Sequence, residues 1–388
     1  MAAVLLVPAP VWGASAPSMA ATLTVPPLPP CPPSPAPTDR PLALSEAIAL
    51  AMYHQPQLAI AGAAIRAAAG RTQQAESGLL PSVSLSADYT RLGPASRINV
   101  GSVGGTFTAG GYTANFAGQQ LLYNFGHTQA QVAQSRDQQS SASQAFAQTR
   151  QDVINQVKQG YYTLLQNQRL VEVQQSNVAS QQAHLDLARA RFDAGVAPRA
   201  DVVRAEAAVS QAQFNLVTVQ NTAAVSRVTL NAAMGIDVRT PTRVQETKEQ
   251  LPTLPEPAAL VEQALACRPE IRQLCADVSA AQEAVKAART ANRPGFFADA
   301  NYGLRGATFP PDNASWSYGV SLQWPLVDSG LTRGRVEEAE ANLASAQAKL
   351  CQGELTVESE VTQAYLSMQA AGQQVITAMA GVASARRA

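Results

Sequence analysis

Apolar residues recur along this chain in two rhythms, one of seven and one of two, and each rhythm occurs twice. Val157, Leu164, Val171, Val178, Leu185 and Phe192 keep a strict seven-residue spacing. Such a stripe stays on one side of a helix that winds left-handed around a partner. It predicts a single helix from about His127 to Asp193, roughly 100 Å long at 1.5 Å per residue. Past the turn DAGVAPRAD, the series Val202, Val209, Leu216, Ala223 and Leu230 continues by sevens, accompanied by Ala205, Ala212, Val219, Ser226 and Ala233. The small residues of the second set allow close backbone approach, so an antiparallel helical hairpin is predicted, reversed at Gly195 and Pro198. Val361, Met368, Val375 and Val382 repeat the first stripe later in the chain.

The alternating rhythm predicts strands. In SVSLSADYT, Val83, Leu85, Ala87 and Tyr89 fall on one face and Ser82, Ser84, Ser86, Asp88 and Thr90 on the other. Trp316, Tyr318, Val320, Leu322 and Trp324 alternate with Ser317, Gly319, Ser321 and Gln323 in the same way. After Gly330 the alternation stops and an Ala-, Glu- and Gln-rich helix begins, so this strand runs directly into a helix.

The chain is a duplication. A shift of 213 residues carries Pro56 onto Pro269, Leu58 onto Ile271, Pro81 onto Pro294, Tyr89 onto Tyr302 and Gly93 onto Gly306. Farther on the shift is 204, carrying Asn124 onto Asp328, Gly126 onto Gly330 and Tyr161 onto Tyr365, so the two copies differ by a loop length. Each copy reads helix (Leu44 to about Ser77; Ala259 to about Ala291), a proline that opens a strand, a polar loop, a second strand (near Tyr112 to Tyr123; Trp316 to Leu326) and a long helix. Asn124 and Asp328 are suited to capping those long helices. The predicted organisation is a signal-like segment and Pro-rich linker (1–41), a first repeat (42–240), a connector (241–258) and a second repeat (259–388). The second hairpin tip would fall near residue 397, so the second repeat is expected to be truncated before it.

Composition removes several function classes. Lys+Arg and Asp+Glu balance at 28 each, leaving no basic field for nucleic acid. His54, His127 and His184 are scattered among Gln and Ala, and Cys267, Cys275 and Cys351 lack metal-ligand spacing, so no metal, cofactor or catalytic cluster is expected. Placed on one helix, Cys267 and Cys275 would stand about 12 Å apart, too far for a disulfide. The opening MAAVLLVPAPVWGASA has the apolar core and small-residue end of an export signal without its basic start. Cys31, in the Pro-rich linker, follows a poor match to a lipid-attachment site.

No run of 18 apolar residues occurs, which argues against a membrane-spanning helix but not against a β-barrel. Strands of about ten residues are long enough to cross a bilayer when tilted. Trp316 and Trp324 end one apolar face, with Tyr318 between them, as interfacial girdles would; Tyr89, Tyr112 and Tyr302 join them as candidate interfacial aromatics. Four strands cannot close a barrel by themselves, so a membrane role requires other copies of the chain.

In this order, PLVDSGLTRGRVEEAEANLASAQAKL and RARFDAGVAPRADVVRAEAAVSQAQ resemble the strand-to-helix junction and hairpin tip of the TolC-like outer membrane efflux proteins, over about residues 42–388. The resemblance implies a mainly α fold with membrane β: long antiparallel coiled-coil hairpins plus four transmembrane strands per protomer. It further implies a homotrimer forming a 12-stranded barrel in outer-membrane lipid, continued by a periplasmic α-barrel. Its partners would be a periplasmic adaptor of the membrane fusion type and an inner-membrane transporter of the RND, ABC or MFS type. The channel would be passive and not an enzyme. Carried onto this chain, the adaptor-binding tip is Arg191, Phe192, Gly195, Val196, Arg199, Asp201 and Val202. Two rival readings share the heptads: a soluble periplasmic coiled-coil adaptor, and a truncated, non-functional channel. A periplasmic enzyme is the third, with no catalytic cluster to support it.

Overall fold

The computed structural model of the protein describes residues 40–91, 110–246, 255–385 and 387. The signal-like segment with Cys31, the Gly-rich stretch after the first strand and part of the connector lie outside the described residues. In chain order come α1 (Leu44–His54), α2 (Pro56–Ser77), β1 (Ser82–Arg91), β2 (Gly110–Tyr123), α3 (His127–Asp193) and α4 (Arg199–Met234). The second half supplies α5 (Pro257–Cys267), α6 (Pro269–Thr290), β3 (Gly295–Gly306), β4 (Asn313–Gln323) and α7 (Leu331–Ala385).

The helix bounds of α3 agree with the heptad reading, but the first helix of each copy is corrected. Each is two helices, broken before Pro56 and before Pro269. Gln55 (φ −70°, ψ 117°) and Arg268 (φ −65°, ψ 130°) are extended, because a proline ring excludes helical geometry at the residue before it and offers no N–H to the preceding turn. The same break puts Cys267 on α5 and Cys275 on α6, on separate helices rather than one; both are free thiols. Strand β4 is also displaced relative to its predicted span. It starts at Asn313 and ends at Gln323, so Trp324 stands one residue beyond it, where Pro325 ends the ladder.

The four strands form one antiparallel sheet in the order β1-β2-β3-β4. Each strand is continuous with a helix: α2 feeds β1, β2 feeds α3, α6 feeds β3 and β4 feeds α7. The helices pack in the matching order, α2 on α3, α3 on α6 and α6 on α7, so strand order in the sheet dictates helix order beneath it.

Helix α4 folds back along α3. All ten predicted seam positions of α4, from Val202 to Ala233, are buried or half-buried, while Phe192 at the far end of the α3 stripe is exposed. On α7, Val357 is buried and Val361 half-buried, whereas Met368, Val375 and Val382 are exposed.

The main core lies halfway along α3. Ala47 and Ala51 of α1, Val153, Val157, Tyr161 and Leu164 of α3, and Leu230 and Met234 of α4 meet there. A short parallel bridge, Leu42 to Val244, closes this node. Tyr161, fully buried, directs its hydroxyl at the carbonyls of Leu42 (2.9 Å) and Gln245 (2.7 Å). Asn231, also fully buried, donates to the carbonyls of Val238 and Thr240 and accepts from the Thr242 hydroxyl at 2.6 Å, so the loop after α4 is organised around one satisfied amide.

Candidate membrane sheet and hairpin tip

Strand pairing sorts the sheet into two chemically opposite faces. One row across the strands is Leu85, Phe116, Tyr302 and Trp316; the next row on that face is Val83, Gly118, Ala300 and Tyr318. Side chains alternate between faces, so the rows between them carry Ser84, Ala117, Asn301 and Ser317, then Ser86, Asn115, Gly303 and Ser315, on the other side. One face is aliphatic and aromatic; the other is Ser-, Asn- and Gly-rich.

Nothing in the described chain covers the apolar face. Trp316 is 71% exposed, Tyr318 81% and Val83 76%. A soluble sheet with one apolar face packs that face on a core; here the core lies on the helices instead, and the face is open from end to end. Tyr89 and Tyr112 pack ring on ring at 4.7 Å toward one end, joined by Phe309 at 5.6 Å from Tyr112. Tyr123, Phe125, Phe296 and Trp324 mark the other end, beside the helices. Trp316 and Tyr318 stack at 5.8 Å between them. Among the described residues, no helix is long and apolar enough to cross a membrane, and no His, Cys, Asp and Glu grouping could hold a metal ion.

All six aromatic residues singled out in the sequence therefore lie on or at the end of the sheet. Phe116 and Phe296 were missed. The signal for Phe116 existed in the alternation Tyr112, Ala114, Phe116, Gly118, but Ala and Gly blur it, and only the pairing with Leu85 and Tyr302 shows that these positions share a face.

At the sheet-to-helix junctions the duplication is visible in the backbone. Phe125 and Gly126 take φ of 55° and 83°, and Ser329 and Gly330 take 52° and 90°. The Asp328 carboxylate accepts the backbone N–H groups of Gly330 at 3.1 Å and Thr332 at 3.0 Å. In the first copy Asn124 accepts from the Thr128 N–H at 3.4 Å and donates to its hydroxyl at 2.6 Å. The N-cap position of α3 is Gly126, not Asn124, which corrects the capping expectation in its placement: Asn124 and Asp328 reach the first helical turn from before the cap and hold it against the end of a strand.

The opposite end of the hairpin is a tight reversal. The Gly195 N–H bonds the Phe192 carbonyl at 2.9 Å and the Val196 N–H bonds the Arg191 carbonyl at 3.0 Å, with Gly195 at φ 73°. This is a Schellman ending, which satisfies carbonyls that the helix terminus leaves free. Arg191, Phe192, Gly195, Val196 and Arg199 are exposed, and Asp201 and Val202, in the first turn of the return helix, are half-buried. Asp201 is engaged by Arg204 of its own helix, and Arg189 pairs with Glu206 across the two arms at 2.8 Å. Arg191 and Arg199 have no ion pair among the described residues, so the tip presents two guanidinium groups and the apolar Phe192 and Val196 to solvent.

A sheet with one open apolar face, rooted on helices longer than any globular core needs, defines a protein that is part membrane wall and part helical rod. Residues 47–236 and 260–388 match the family model described as outer membrane efflux protein, and the chain belongs to that family. It is similar to protein CyaE of Bordetella pertussis, 27% identical over 357 residues, covering 87% of this chain and 72% of that protein. It is also similar to the outer membrane efflux protein BepC of Brucella suis, 26% identical over 274 residues, covering 69% of this chain and 59% of that one. Among solved structures, the fold matches CusC (TM-score 0.77, 16% identity, 88% of this chain and 79% of that one). It likewise matches the outer membrane protein VceC of Vibrio cholerae (TM-score 0.76, 19% identity, 86% and 80%). The chain is an outer-membrane protein whose helical part extends into the periplasm.

Proposed function

We propose that three copies of the chain close a 12-stranded outer-membrane barrel continued by a periplasmic α-barrel, the passive channel of a tripartite efflux or type I secretion system. One observation carries this reading: β1 and β4 are both free edges of a sheet whose apolar face is uncovered. In hydrocarbon each unpaired backbone N–H or C=O costs on the order of a few kcal/mol, so β1 of one copy must pair with β4 of the next. Closure turns the Ser- and Asn-rich face inward around water and the aromatic face outward to lipid.

The aromatic positions agree with a tilted wall. Strands about 4.8 Å apart and tilted about 45° shift a level band by roughly four residues over three strand spacings. Through the ladder, Tyr89 stands level with position 312 of the loop before β4, four residues from Trp316. Tyr89, Tyr112, Tyr302 and Trp316 then form one belt near the outer interface, with Trp324 in the other.

The exposed tip, with Arg191, Phe192, Gly195, Val196, Arg199, Asp201 and Val202, is the surface for a periplasmic adaptor. Through that adaptor the channel serves an inner-membrane transporter of the RND, ABC or MFS type, which supplies energy and cargo choice.

The test is oxidation of cysteine pairs placed across β1 and β4, such as Ser84→Cys with a scan of Ser315→Cys and Ser317→Cys, in a chain otherwise free of cysteine. The reading predicts a covalent trimer in the outer-membrane fraction at one register. A product found only as monomer in the soluble periplasm would overturn it.

A further inference from the structure

Among the described residues, the polar face of the sheet carries one charge with no opposite charge beside it. Asp299 stands on β3, in the row Ser82, Gln119, Asp299 and Gly319. One carboxylate oxygen accepts the Gln119 amide of β2 at 3.0 Å, and the other accepts the Ser321 hydroxyl of β4. Both partners are neutral. The carboxylate is therefore clamped between two neighbouring strands with its charge intact, half-buried in the wall rather than free to swing on the surface.

The other charges of that face are arranged differently. Asp88 and Arg305 belong to one row, two strands apart through Thr113, so they offset each other at the far end of the sheet. Arg305 is six residues from Asp299 along β3, about 20 Å at the rise of a strand. That is more than two Debye lengths at physiological ionic strength, about 8 Å each, so Arg305 does not cancel Asp299.

From this placement we infer that Asp299, repeated by symmetry, forms a ring of three carboxylates in the barrel lumen that favours cations and cationic cargo over anions. The inference rests on the trimeric channel proposed above. Twelve strands spaced about 4.8 Å and tilted 35–45° give a wall about 12 Å from the axis. Inward-pointing carboxylates then reach to within about one Debye length of the centre in 0.15 M salt, so their fields overlap across the water-filled bore. At 1 M salt the screening length is about 3 Å and the overlap disappears. The preference is accordingly a low-salt property. It also needs the clamp: Gln119 and Ser321 fix the distance of each charge from the axis without removing it.

A purely structural role for Asp299, as a cross-strand hydrogen-bond acceptor, makes the opposite forecast for a neutral acceptor. Asp299→Asn keeps a carbonyl oxygen for the Gln119 amide, and its own amide can donate to the Ser321 hydroxyl, so both cross-strand bonds can persist while the charge is lost. The experiment is the reversal potential of the full chain in planar bilayers under a KCl gradient centred near 0.1 M, for wild type, Asp299→Asn, Asp299→Glu and Asp88→Asn, each first shown to run as an assembled trimer. Wild type and Asp299→Glu are expected to prefer potassium over chloride, and Asp299→Asn to lose at least about threefold of that ratio. Asp88→Asn should change it less, and all four should converge at 1 M. An unchanged reversal potential in Asp299→Asn, with single-channel conductance intact, overturns the inference while leaving the channel standing. Assembled wild-type trimers that pass no ions overturn the channel reading, and this inference with it.

Discussion

Asp328 accepts the backbone N–H of Thr332 at 3.0 Å, and Asn124, at the equivalent position of the first repeat, accepts that of Thr128 at 3.4 Å. Two copies of one turn thus anchor the two helices that leave the sheet. In the second copy the acceptor is charged. The Thr332 hydroxyl, then the Thr332 and Gly330 N–H groups, hold the Asp328 carboxyl below the usual carboxylate range. A depressed folded value means the contribution is present above the unfolded value, about 4, and is lost as the pH falls through the folded one. Asp328→Ala should therefore lower the melting temperature of the helical circular dichroism at pH 7. The gap to wild type should close below about pH 4. Asp328→Asn, which keeps an acceptor and matches the first repeat, should lose less.

The loop after α4 depends on one side chain. Asn231 makes three hydrogen bonds in a fully buried position. Asn231→Ala removes all three bonds; the Thr240 carbonyl keeps the Thr242 N–H, but the Val238 carbonyl and the Thr242 hydroxyl lose their side-chain partner. The expected cost is about 2–4 kcal/mol, read as a shift in the denaturant midpoint of the purified protein.

Two glycines with the same backbone conformation should respond differently to the same substitution. Gly195 at the tip and Gly235 after α4 have φ of 73° and 70°. A methyl group at Gly195 meets nothing within 4 Å, whereas at Gly235 it comes within 2.8 Å of the His54 carbonyl carbon and oxygen. Gly195→Ala should cost only the left-handed penalty, about 1–2 kcal/mol. Gly235→Ala adds a backbone overlap that no rotamer relieves, and should destabilise clearly more in the same melting assay.

The tip forecast concerns charge rather than stability. Arg191 and Arg199 are exposed and unpaired among the described residues, so reversing them removes nothing the fold needs. Arg191→Glu combined with Arg199→Glu should leave trimer yield and melting unchanged. Recovery of the adaptor by crosslinking in the periplasm should fall about tenfold, the range expected when an attractive charge in an interface becomes a repulsive one. Unaltered recovery would move the adaptor site away from the tip.

Much of this architecture is legible in the sequence, and the rest is not, for definable reasons. The seven-residue stripe from Val157 to Phe192 and the alternation from Val83 to Tyr89 are local periodicities, and a period survives without tertiary context. The break before Pro56 was also local, but a continuous Ala-rich pattern on both sides masked it. The node that ties Tyr161 to Leu42 and Gln245 joins segments some two hundred residues apart with no shared rhythm. Asp299 was invisible for a related reason: its significance lies in which residues stand beside it on β2 and β4, and register is a property of pairs of strands.

The central claim is that the two faces of the sheet meet different solvents, lipid outside and water inside. Single cysteines at Val83, Leu85, Trp316 and Val320 on one face, and at Ser84, Ser86, Ser315 and Ser317 on the other, test it directly with a water-soluble maleimide in intact outer membranes. The account predicts labelling of the serine positions and protection of the apolar ones, alternating residue by residue along β1 and β4. Equal labelling of both sets would mean that no bilayer covers the aromatic face, and would contradict the account.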